Sequence, residues 1–135
     1  MAILVLEDSL DRVEWLRKHM PETQLVLHAT SVVDFEAKLG ETKGKLDLII
    51  LDHDLGHAPP TPYVVDSDSY DENGQTGYDA ALAVPHDIAC PVLVWSMNHS
   101  AAKRMYEALV ERGIVAALLP FGAPTLASAL HYLVR

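Results

Sequence analysis

The residues able to do chemistry in this sequence stand directly after its apolar runs. Glu7 and Asp8 follow A-I-L-V-L, Asp52, His53 and Asp54 follow L-D-L-I-I-L, and Asn98 and His99 come shortly after V-L-V-W. Glu7, Asp8 and Asp52, if gathered at one place, repel one another strongly enough to need shared protons or a cation. A hard divalent ion such as Mg²⁺ or Mn²⁺, held by carboxylates, a carbonyl and waters, is the expected solution. The other reading has Asp8 capping a helix and Glu7 solvated. His53 and His99 carry the side-chain type suited to a general base and a general acid, and they are equally able to ligate a softer metal. Asn98 can donate to a phosphate oxygen or serve as a turn or cap residue.

The elements that must position these groups read as an alternating α/β chain. Ala2–Leu6, Gln24–His28, Leu46–Leu51, Val92–Trp95 and Ile114–Leu119 read as strands. The first, third and fourth lack polar alternation, as strands covered on both faces do. Helices are expected from Ser9 to His19 behind an Asp8 or Ser9 cap, and from Ser31 to a stop at Gly40. Three more are expected from Thr76 to Ala83, behind a Ser100 cap as far as Gly113, and from Pro124 to Val134. This order predicts one domain spanning residues 1–135, a doubly wound, flavodoxin-like parallel sheet of strand order 2-1-3-4-5. In such sheets ligands bind beyond the carboxyl ends of the strands, and there the listed side chains lie. His19, His28, His57, His86 and His131 show no such convergence and read as surface or loop residues.

Composition narrows the partners. Half of the 135 residues are hydrophobic and the formal net charge is −9, which describes a folded globule and argues against bulk binding to DNA or membranes. A phosphate-bearing small ligand stays compatible if a metal offsets the repulsion. The one cysteine, Cys90, excludes an internal disulfide, suits a reducing compartment and reads as core packing. No run is long enough to span a membrane and the first residues lack a basic leader, so a cytoplasmic protein is expected.

Residues 57–76 interrupt the pattern with Pro59, Pro60, Pro62 and an acidic stretch, a long insert before the third helix. Asp66, Asp68 and Asp71 invite a calcium reading. However, Asp71 stands where the loop glycine belongs and Gly77 where the closing glutamate belongs, so the stretch reads instead as an acidic lid or solvated loop. Tyr70 can stack on a nucleobase.

With E-D after the first strand, L-D-H-D-L-G after the third, Ser96 after the fourth and Pro120–Phe121 after the fifth, the chain resembles the response-regulator receiver domain over nearly its whole length. The resemblance implies Mg²⁺ on Glu7 and Asp8, a phosphoacceptor at Asp52, a metal-binding carbonyl at Asp54 and a switch hydroxyl at Ser96. The family's lysine directly before the proline that follows the fifth strand is replaced by Leu119, which removes one positive charge from the expected phosphoryl site. The W-S-M-N-H element at Trp95–His99, the H-D-L-G and the insert look like a divergent branch, the cyclic-phosphate-processing receiver-like domain. That likeness implies a metal-assisted phosphoesterase acting on cyclic phosphates of nucleotides or RNA ends. Asp52, His53 and His99 would be catalytic, Ser96 and Asn98 would contact substrate, and Glu7, Asp8, Asp52 and Asp54 would hold the metal. The alternatives are a non-catalytic signalling or ligand-binding module, able to form a homodimer through the fourth and fifth strands, and a phospho-accepting receiver.

Overall fold

The computed structural model describes residues 2–20, 22–55 and 70–119. Five strands, β1 (Ala2–Leu6), β2 (Leu25–Ala29), β3 (Leu46–Leu51), β4 (Val92–Trp95) and β5 (Ala116–Leu119), form one parallel sheet in the order β2-β1-β3-β4-β5. The expected topology is therefore observed. β1 and β4 are buried at every position, and β3 at every position except Asp47. That is why their sequences carry no alternation.

Among the described residues four helices connect the strands: α1 (Leu10–Lys18), α2 (Val32–Thr42), α3 (Gly77–Ala83) and α4 (His99–Glu111). On one sheet face Leu4, Leu6, Ile49, Leu51, Val92 and Val94 pack with Phe35 and Leu39 of α2, Ala80 and Ala81 of α3, and Met105 and Leu109 of α4. On the other, Ile3, Val5, Leu48, Ile50, Leu93 and Trp95 pack with Leu16 of α1 and with Met20. The expected helix 124–134, Pro120–Phe121, His57, His131 and the first part of the insert, including Asp66 and Asp68, lie outside the described residues.

The expected boundaries of four elements move. Gly40 does not end α2: the helix runs on to Thr42, whose hydroxyl donates to the Lys38 carbonyl at 2.7 Å. The left-handed residue that closes it is Gly44, with φ of 88°. Ser100 does not cap α4. Asn98 does, its side-chain oxygen accepting from the Ala101 amide at 3.2 Å, so the helix begins at His99. β5 begins at Ala116, because the Ile114 amide is taken by the Leu109 carbonyl at the end of α4 (3.0 Å). β2 is displaced by one residue relative to its expected span, to Leu25–Ala29.

Candidate metal centre

Parallel pairing continues one residue past the ends of β1 and β3. The Asp52 amide donates to the Leu6 carbonyl and the Glu7 amide to the Ala29 carbonyl, both at 3.0 Å. Glu7 and Asp52 are thereby fixed on neighbouring strand ends. The next turn decides what Asp8 does. Ser9 is the α1 cap, its hydroxyl accepting from the Arg12 amide at 3.4 Å, so Asp8 is not needed as a cap. One carboxylate oxygen from each of Glu7, Asp8 and Asp52 lies within 4.8 Å of the others. The expected acidic convergence is present.

Glu7 and Asp52 are almost wholly buried, at 1% and 2% exposure. Burial pushes the Glu7 carboxyl up to about 9, and the Asp52 charge and a proton shared with Asp8 push the same way, against the Ser9 amide and Arg12. Burial likewise raises Asp52, to about 6, while the Ser96 hydroxyl and Arg12 hold it down and Asp54 and Asp8 push it up. Glu7 Oε1 accepts from the Ser9 amide and the Arg12 guanidinium, both at 3.1 Å, but its buried Oε2 has no hydrogen-bond donor among the described residues. Such an atom is costly unless a proton or a cation reaches it. The donor set is three hard oxygens, which suits Mg²⁺ or Mn²⁺. Residues and group fit.

Arg12 was not singled out by motif. Its Nη1 bridges Glu7 Oε1 (3.1 Å) and Asp52 Oδ2 (3.4 Å), so a cation already sits in the anionic crevice. The readable signal was its place four residues after Asp8, in the first turn of a helix that starts beside the carboxylates. His28, expected as a surface or loop residue, is instead half-buried in β2. Its Nε2 lies 2.6 Å from the Glu7 carbonyl oxygen, so the ring donates there and steadies the acidic turn.

Ser96 is buried, bonds to Asp52 and accepts the Asn98 amide at 3.2 Å. Asn98 is half-buried, with its side-chain oxygen engaged by α4. His53 is buried, with Nδ1 2.9 Å from Asp54 Oδ1. His99 is exposed in the first turn of α4. Both histidines follow the carboxyl ends of adjacent strands, yet neither ring joins the acidic cluster, nor does the Asp54 side chain. The Asp71 side chain is occupied by amides: Oδ2 accepts from Val32 at 2.8 Å and Oδ1 from Asn73 and Gln75 at 2.9 Å. It anchors the end of the insert to the start of α2, which explains its burial without calcium.

Gly77 closes the floor. Its amide donates to the His53 carbonyl at 2.9 Å, and a Cβ at this position would stand 1.9 Å from the Asp52 carbonyl oxygen. Beside Asp8 a cleft of about 390 Å³ opens, walled by Thr30, Ser31, Leu55 and the half-exposed Tyr70.

No protein-family model and no curated relative matches the chain. Solved structures do. The non-phosphorylated HemR receiver domain of Leptospira biflexa is 20% identical with a TM-score of 0.67, over 99% of this chain and 94% of that one. The chemotaxis protein CheY4 of Vibrio cholerae is 19% identical with a TM-score of 0.64, over 98% of each chain. The N-terminal domain of a response regulator/sensory box/GGDEF three-domain protein of Carboxydothermus hydrogenoformans is 19% identical with a TM-score of 0.65, over 99% and 90%. Likeness at this level is likeness of fold: the chain has the receiver-type, flavodoxin-like fold, with an acidic cluster at the carboxyl end of its sheet.

Proposed function

We propose that the chain holds a divalent cation on Glu7, Asp8 and Asp52 and acts there on a phosphoryl group, hydrolysing a cyclic phosphate of a nucleotide or RNA end. The observation that carries the metal and phosphoryl part is the buried trio with an orphaned Glu7 Oε2. A bound divalent ion would supply positive charge to the non-bridging phosphoryl oxygens. Ser96, already bonded to Asp52, and Asn98, two residues on at the start of α4, would contact the phosphate. The cleft beside Asp8 has room for a small organic group, with Tyr70 along one wall for a base.

In the hydrolytic reading a water oxygen bonds to phosphorus as one ring P–O bond breaks. The water proton passes to one imidazole and the other protonates the departing alkoxide. His99, exposed at the start of α4, and His53, held on Asp54, would fill these roles. The second reading is a non-catalytic receiver that binds a ligand or relays a signal, and it is favoured by the burial of His53 against Asp54 and by the place of both rings outside the acidic cluster.

The two readings separate on one experiment. Nucleoside 2′,3′-cyclic phosphates are incubated with the chain, with and without Mg²⁺ or Mn²⁺, and followed by chromatography. The hydrolytic reading expects metal-dependent ring opening that His99→Ala and Asp52→Asn each reduce by about 10²-fold or more. No ring opening, together with metal and phosphate binding, leaves the binding reading.

A further inference from the structure

Among the described residues the acidic trio has one arginine in contact with it, and that cation has a second use. Three carboxylates face one guanidinium, so a divalent ion would bring the crevice close to neutrality. A phosphate brought to Asp52 then adds negative charge with nothing yet assigned to meet it. The other arginine and lysine ion pairs among the described residues join Arg17 to Glu14, Lys38 to Asp34, Lys43 to Asp87 and Lys103 to Glu107, none of them with Glu7, Asp8 or Asp52, while His53 pairs with Asp54. β5 ends in Leu119, which brings no charge to the far side.

Resting on the proposed metal and phosphoryl site, we propose that Arg12 is its anion-recognising residue: it balances the empty crevice and turns its donors to the phosphoryl oxygens once a divalent ion has taken over the carboxylates. The geometry supports each part. Nη1 already lies 3.4 Å from Asp52 Oδ2, the atom beside which a phosphoryl group would sit. The Ser9 cap fixes the Arg12 backbone in the first turn of α1, so the side chain hinges from a set point. About a third of the side chain is exposed, which leaves it a path toward an incoming ligand. A guanidinium carries donors in a planar fork that matches phosphoryl oxygens, so its donors can pass from the carboxylates to a phosphate once a divalent ion holds the carboxylates.

The test uses the whole chain, Arg12→Gln and Arg12→Lys, with folding checked by circular dichroism. Calorimetry first measures Mg²⁺ alone, then inorganic phosphate in saturating Mg²⁺. Arg12→Gln is expected to weaken phosphate by about tenfold or more while Mg²⁺ affinity is held or raised, because a competing cation has been removed. Arg12→Lys, keeping the charge without the fork, is expected to fall between. Phosphate affinity unchanged in Arg12→Gln overturns the assignment of Arg12 alone. So does a parallel loss of Mg²⁺ and phosphate, which would make Arg12 a structural brace. If the unaltered chain binds Mg²⁺ but no phosphate, the phosphoryl reading itself falls and takes this assignment with it.

Discussion

Glu7 and Asp52 are two acids placed where neither can comfortably ionise. Both have their carboxyls raised by burial, so without metal their protonated forms stabilise the fold in acid. That contribution is complete below the ordinary carboxylate range and is lost as pH rises, first through about 6 for Asp52 and then toward about 9 for Glu7. In chelator, the Tm of the chain relative to Glu7→Gln is expected to fall between acid and alkaline pH, with the gain on adding Mg²⁺ largest at the alkaline end. A Tm difference independent of pH would show that Glu7 is not strained. Gly77 makes a second residue-scale prediction. With only 1.9 Å between an added Cβ and the Asp52 carbonyl oxygen, Gly77→Ala must shift α3 or the Asp52 backbone. A cost of about 1–3 kcal/mol is expected by chemical denaturation, with weakened metal binding. At this scale the carboxylate trio was legible because its members each follow an apolar run. Arg12 and His28 were not, since each matters only through a contact that the fold creates.

The short helix α3 holds Gly77 in place, and it is secured from both ends. At its start Thr76 and Asp79 form a reciprocal capping box, which the T-G-Y-D sequence displays. At its end Arg112, the C-cap of α4, donates to the Ala81 carbonyl at 2.8 Å and the Val84 carbonyl at 2.6 Å. Arg112→Met is expected to destabilise the chain by about 1–3 kcal/mol in denaturant melts, since two partly buried carbonyls lose a charged donor. An unchanged midpoint would show that water replaces the guanidinium. The same element scale explains which boundaries were readable. β1, β3 and β4 are read correctly because burial on both faces leaves a continuous apolar run. β5 is overread because Ile114 is equally apolar but belongs to the end of α4. Ser100 and Asn98 are both good caps, and only the backbone path after Ser96 decides between them. Asp71 reads as part of an acidic lid or solvated loop, not as a buried anchor, because three backbone amides converging on one carboxylate cannot be seen in a sequence.

For the molecule as a whole, the parallel order β2-β1-β3-β4-β5 puts the ends of β1 and β3 side by side, and from that adjacency the acidic crevice follows. The topology was predictable from alternation and handedness rules alone. The reaction was not, because catalytic geometry depends on where imidazoles point, and His53 points to Asp54. Among the described residues no helix is long and apolar enough to cross a membrane. The central claim is that the trio is a divalent-cation site, and a calorimetric titration of Mg²⁺ and Mn²⁺ at neutral pH tests it most directly. One ion per chain is expected, with affinity reduced about tenfold or more in Asp8→Asn and in Asp52→Asn. Absence of saturable heat in the unaltered chain, or equal affinity in all three proteins, would contradict it.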